Sequence, residues 1–172
     1  MEKVVEFFVK VFGGLKGLKY GKELIVFIIS VMPILELRGG LLAASLLRVP
    51  ALRAYVISII GNVIPVPFIL LFISKILEWM GKSKTKWVNN LANWVHRKAD
   101  KHKGPIEKYG YVGLILFVGI PLPGTGAWTG CLIASLLGLD KKKSFLCAMV
   151  GIIIASIIMM IISYGIVGNL ID

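Results

Sequence analysis

Apolar residues run along this chain in two patterns, continuous blocks and helical stripes, and the blocks occur twice. The blocks cover 24–35, 41–47, 54–77, 111–122, 131–139 and 144–167, separated by short polar or Gly/Pro-rich breaks. The stripes lie outside them. Val4, Val5, Phe7, Phe8, Val11, Phe12, Leu15 and Leu18 recur at helical spacing among lysines, and Trp87, Val88, Leu91, Trp94, Val95 and Ala99 do so among other basic residues. Each stripe predicts an amphipathic helix in the membrane interface, the first weakened at Gly13 and Gly14. Block 54–77 gives about 36 Å of helix, enough to span a bilayer with some tilt, and 144–167 is the second full span. Block 24–35 gives about 18 Å, roughly half the hydrocarbon thickness, and 111–122 is as short.

A shift of 90 positions places Leu24, Ile25, Phe27, Pro33, Gly40, Leu42, Ala44, Ser45, Leu46, Leu47 and Gly61 on Leu114, Ile115, Phe117, Pro123, Gly130, Leu132, Ala134, Ser135, Leu136, Leu137 and Gly151. The same shift aligns the breaks, Pro33 to Gly40 in one copy and Pro121 to Gly130 in the other. Paired interruptions of this kind point to a transport site near the bilayer midplane. The expected class is an all-α integral membrane protein of two inverted repeats, each a re-entrant helical hairpin plus a transmembrane helix, with amphipathic interfacial helices. Residues 1–23 form the N-terminal interfacial helix. Repeat 1 covers 24–77 (hairpin 24–49, span 54–77), a basic linker covers 78–110, and repeat 2 covers 111–168 (hairpin 111–139, span 144–167).

A second topology competes. If each interrupted segment crosses fully, the chain makes four spans and the repeats lie parallel. The distribution of loop lysine and arginine favours that arrangement. Segment length and the Pro/Gly breakers favour re-entrant tips that meet near mid-membrane, because irregular backbone at that depth is tolerated only when buried in protein or lining a cavity.

Composition fixes the solvent: 57% hydrophobic residues in 172 cannot all be buried in a water-soluble core. The first 23 residues lack the pattern of a removable signal peptide. The net charge of +11 gathers outside the apolar blocks, as expected for anionic lipid headgroups in the cytoplasmic membrane, and no soluble domain presents it to nucleic acid. Cys131 and Cys147 sit in apolar stretches without metal-like spacing and read as buried structural residues.

Candidate chemistry concentrates at the breaks. Glu36 and Arg38 are the charged residues within the interrupted apolar runs, at the first break; Lys75, inside the block 54–77, can snorkel from near a helix end. They either pair and staple the tip or act on a substrate. Their spacing of two suits an extended, non-helical loop, where both point to one side. Gly39, Gly40 and Gly130 either allow close helix packing or expose backbone N–H groups. In the second break, Pro121, Pro123, Gly124, Thr125, Gly126, Trp128 and Thr129 combine flexible backbone, hydroxyls and an aromatic face for a substrate's apolar part. Half-helices returning from near Leu41 and Cys131 would aim positive N-terminal ends at the membrane centre, where an anion would bind. Asn62, three residues before Pro65, either satisfies the kink or faces the site. His96 and His102 read as solvated linker residues. No nucleophile with a base, metal cluster or paired carboxylates is present in the sequence, so no enzymatic activity and no cofactor are expected.

The segments Glu36-Leu-Arg38-Gly39-Gly40 and Pro121-Leu-Pro123-Gly124-Thr125-Gly126-Ala-Trp128-Thr129-Gly130 resemble the two signatures of the small multidrug export family, which is distantly similar to the DedA and VTT membrane proteins. The longer arginine-rich DedA motif is not evident. The resemblance implies facing re-entrant loops and lipid flipping or drug export. Three functions remain open: proton- or ion-coupled transport of an amphipathic anion such as a lipid phosphate, proton-coupled export of lipophilic cations, and a non-transporting membrane scaffold. The partners expected are membrane lipids, a small amphipathic substrate, protons or another coupling ion, and further copies of the chain.

Overall fold

The computed structural model describes residues 2–17, 20–82, 85–122 and 124–166. They are helical almost throughout: α1 (Glu2–Val11), a 3-10 turn (Phe12–Gly17), α2 (Gly21–Val31), α3 (Glu36–Leu46), α4 (Ala51–Val63), α5 (Pro65–Gly81), α6 (Lys86–His102), α7 (Gly104–Gly119), α8 (Ala127–Leu136), α9 (Lys141–Met160) and a π-helical end (Ile161–Ile166). Two stretches, Ala51–Gly81 and Lys141–Gly165, are long and apolar enough to cross a membrane. Leu52, Val56, Ile60, Phe68 and Phe72 on the first, and Leu146, Val150, Ile153, Ile157 and Ile161 on the second, are all exposed. Apolar stripes of that length facing outward fit lipid rather than water.

The contacts divide the chain into two compact units, Met1–Pro65 with Ile152–Asp172, and Val66–Gly151. In the first, α2 and α3 form a hairpin closed by residues 32–35, with Glu36 N–H donating to the Met32 carbonyl at 2.9 Å and Gly39 N–H to the Leu35 carbonyl at 2.8 Å. Each arm has 11 residues. Each is therefore about 16 Å long, half a bilayer core. Helix α4 packs on both arms. Arg53 pairs with Glu23 at 3.7 Å near its start, and a Cβ on Gly61 near its end would lie 2.8 Å from the Ser30 Cβ. Small residues at such crossings let backbones approach where lipid supplies no hydrophobic drive.

The end of α9 belongs to the same unit and runs antiparallel to α4. Ser156 Oγ donates to Tyr55 Oη at 3.1 Å and Tyr164 Oη donates to the Val49 carbonyl at 2.8 Å, so residue numbers rise along one helix as they fall along the other. Ser45 Oγ also donates to the Ser163 carbonyl at 2.7 Å.

In the second unit, α7 bends at Gly110 (φ 57°) into arms 104–109 and 111–119, and α8 returns beside the second arm. A Cβ on Gly130 would lie 2.9 Å from Val118 Cγ2, and one on Gly151 would lie 2.6 Å from the Val118 Cβ. Ser74 of α5 and Ser135 of α8 share a hydroxyl hydrogen bond at 2.7 Å. The amphipathic α6 buries Ala92 and Ala99 and leaves Trp87, Leu91 and Trp94 exposed as an apolar stripe. In α1, Val5 is buried whereas Val4, Phe7 and Val11 are exposed.

The turns that follow α3 and α8 carry matching hydrogen bonds. Val49 N–H donates to the Ala44 carbonyl and Leu139 N–H to the Ala134 carbonyl, and Arg48 and Gly138 both take positive φ (54° and 69°). The 90-residue register therefore holds after the tips. Before them it becomes 88, because Gly61 meets Phe27 and Ser30 while Gly151 meets Ile115 and Val118. The first tip is 32–35 and the second 120–126, and the longer second tip absorbs the slip.

A second expectation also changes. Residues Glu36 to Gly40 are the first turns of α3 rather than a non-helical loop, and the returning helices start at Glu36 and Ala127 rather than near Leu41 and Cys131. Both glycines are helical because neighbours need their space. A Cβ on Gly39 would lie 3.2 Å from Ile29 Cγ2, and one on Gly40 would overlap Ser30 Oγ. Packing of that kind outweighs the propensity cost of about 1 kcal/mol per glycine.

Candidate functional site

The first site is the tip of the α2–α3 hairpin. Glu36 opens α3 in left-handed backbone (φ 52°), a conformation that costs a non-glycine residue about 1 kcal/mol or more. Strain at a buried ionisable residue is the kind of feature that functional sites retain. Glu36 and Arg38 are both only 4% exposed. The Glu36 carboxylate acts electrostatically on the Arg38 guanidinium, which keeps two opposite charges together in a buried place. Arg38 lies in the first turn of α3, where the helix end adds partial positive charge.

Gly40 brings α4 into the site, since its Cβ would lie 3.0 Å from Ser58 Oγ. Helices α3 and α4 are joined by a short turn and run antiparallel. One turn from this contact, Glu36 on α3 is therefore level with Asn62 on α4. Ser30, Ser58 and Asn62 have no exposed surface. Ser30 Oγ donates to the Val26 carbonyl at 2.7 Å, whereas Ser58 Oγ and both polar atoms of the Asn62 carboxamide have no hydrogen-bond partner among the described residues. Asn62 thus does not satisfy the backbone at the Pro65 kink. Ser58 and Ser30 were not evident as site residues in the sequence, and only the i, i+4 relation of Ser58 to Asn62 could have drawn attention to them.

The second site is the loop between α7 and α8. Pro121 is half-buried, Pro123 lies outside the described residues, and Gly124 and Gly126 take φ of 85° and 139°. Thr125 Oγ1 donates toward the Leu122 carbonyl at 2.8 Å and the Ile120 carbonyl at 3.0 Å, so its proton braces the loop. Ala127 starts α8, with Trp128 and Thr129 half-buried in its first turn and Gly130 buried. His102 is not a purely solvated linker residue. Its ring lies 3.3 Å from the Cβ position of Gly124 and 6.4 Å from the Phe117 ring. Around it a cavity of about 430 Å³ is lined by Lys101, Tyr109, Leu116, Ile120 and Thr125 among others. Its lining is largely apolar and includes one lysine, Lys101.

Neither comparison with curated proteins nor comparison with solved structures gives a match. The sequence model of one family matches residues 36–158, starting at the buried Glu36 within the first break and containing the whole of the second. That match covers well over half of the chain, and the protein therefore belongs to the family described as putative small multi-drug export protein.

Proposed function

We propose that the protein is an ion- or proton-coupled membrane transporter that moves an amphipathic anion, such as a lipid phosphate, across the cell membrane. The observation that carries this reading is the first tip. There Arg38 and Glu36 are buried at the end of two half-length arms, level with Asn62 about 16 Å into the long helix that starts at Ala51. A buried arginine on the positive end of a helix attracts an oxyanion and can grip it through two parallel N–H donors. Glu36 balances the arginine when no substrate is bound and takes a proton or a cation when the substrate does the balancing. Charged groups at this depth are expensive, and transport is the use that most often retains them.

Each hairpin, on this reading, dips into the bilayer from its own side. Within the first unit the end of α9 runs antiparallel to α4, whereas four full crossings would make those two spans parallel. The exposed tryptophans of α6 and the basic residues around them support interfacial lipid contact. The anion is held by Arg38 and backbone N–H groups rather than by Thr125, whose proton is already donated within its loop.

The family description, multi-drug export, leads us to infer a second cargo, and a lipophilic cation is the one that Glu36 would hold. Flux of an anionic lipid phosphate and of a lipophilic cation, measured in the same proteoliposomes, separates the two. Arg38→Ala is expected to reduce anion flux by at least about tenfold and to spare cation flux, with Arg38→Lys restoring only part because it lacks the planar fork. Wild-type anion flux in a folded Arg38→Ala protein would remove the anion reading.

A further inference from the structure

We propose that a sodium ion binds beneath the first hairpin tip, held by Ser58 and Asn62 with Glu36 supplying the negative charge. The inference rests on the reading of that tip as the transport site and names its coupling ion. Asn62 and Ser58 are fully buried, yet Asn62 Oδ1, Asn62 Nδ2 and Ser58 Oγ lack hydrogen-bond partners among the described residues. Leaving such groups unpaired in a buried place is costly, so their retention calls for a ligand.

Ser58 and Asn62 are one turn apart on the same face of α4, and the Ser58 hydroxyl lies against Gly40, one turn from Glu36 on α3. A fourth oxygen comes from Gly61, the neighbour of Asn62 in sequence. In an α-helix the Gly61 carbonyl would accept from residue 65, which is Pro65 and has no N–H. The set is therefore a carboxylate, a carboxamide oxygen, a hydroxyl and a carbonyl, with neither sulfur nor imidazole. Such donors suit a hard cation, and carbonyls at interrupted helices near the midplane are where coupled transporters hold sodium. A single carboxylate with Arg38 close by does not offset a divalent charge, which leaves a monovalent ion.

The carboxamide also explains coupling. With Oδ1 on sodium, Nδ2 stays available to donate to an oxyanion, so the ion and the anionic cargo share one side chain and each favours the other.

The test uses the purified full-length chain in detergent, with thermal unfolding followed in sodium chloride and in choline chloride at equal ionic strength. Sodium is expected to raise the midpoint in a saturable way, and radioactive sodium is expected to be retained with the same half-saturation. Ser58→Ala and Asn62→Ala should each lower sodium affinity about tenfold or more, the low end of the loss seen even for outer-shell partners of a metal site. Because Asn62→Ala can fail to fold, Ser58→Ala carries the comparison alone if needed. Equal midpoints in sodium and choline, with no sodium retained by the wild type, would overturn the proposal. If that occurs while anion flux still depends on Arg38 and on a pH gradient, the transport reading stands with the proton as its coupling ion. If sodium binds but no amphiphile moves, the transport reading fails and the site remains.

Discussion

Gly40→Ala tests how the first tip is built, because side-chain propensity and packing predict opposite signs. In an isolated helix alanine is better than glycine by about 1 kcal/mol. At position 40 the new Cβ would overlap Ser30 Oγ and lie 3.0 Å from Ser58 Oγ and 3.1 Å from the Ser30 Cβ. The Ser30 hydroxyl would have to leave the Val26 carbonyl that it now bonds at 2.7 Å. Losing that bond while the hydroxyl stays buried costs about 1–3 kcal/mol, and overpacking of the arms adds a similar amount. Set against the propensity gain, the net loss is about 1–5 kcal/mol. Ser30→Ala removes the clashing atom and leaves only a tight methyl contact, so the double variant should recover most of the loss. The assay is denaturant unfolding in micelles for the wild type, both single variants and the double variant. The coupling in that cycle should be on the order of 1–2 kcal/mol and of rescuing sign. A Gly40→Ala protein at least as stable as the wild type, or a double variant no better than Gly40→Ala, would refute the packing argument.

Two further outcomes follow from the site geometry. Glu36→Gln should abolish accumulation driven by an ion gradient in proteoliposomes and retain downhill exchange, since the amide keeps the shape but carries neither charge nor proton; equal accumulation by both proteins would exclude Glu36 as the coupling group. Thr125→Val should destabilise the second loop by about 1–2 kcal/mol through loss of its bond to the Leu122 and Ile120 carbonyls, whereas Thr125→Ser keeps it, and unchanged unfolding of the valine variant would show that the brace is idle.

The sequence made the long helices and the repeat legible for a clear physical reason. Uninterrupted apolar runs have one common solution in lipid, and the turns after Leu47 and Leu137 need the same backbone in both copies. The slip to 88 before the tips was not legible, because runs of Leu, Ile, Val and Phe align almost as well two residues away. The Glu36 to Gly40 segment reads as a break because paired glycines and charges rarely continue a helix, yet Gly39 and Gly40 are set by what α2 and α4 place against them. Ser30 and Ser58 look ordinary in sequence, and their role comes from three helices converging. His102 reaches the Gly124 loop only through the bend at Gly110 and the return of the chain, which no local pattern encodes.

Opposed re-entrant hairpins are the central claim, and cysteine labelling in sealed, oriented vesicles tests them most directly. In a background without Cys131 and Cys147, single cysteines at Leu24 and Arg48 mark the two ends of the first hairpin, and one at Lys142 marks the start of α9. The account predicts that 24 and 48 react with an impermeant maleimide from the same side and 142 from the opposite side. Labelling of 24 and 48 from opposite sides would show that the segment crosses the membrane and would contradict the account.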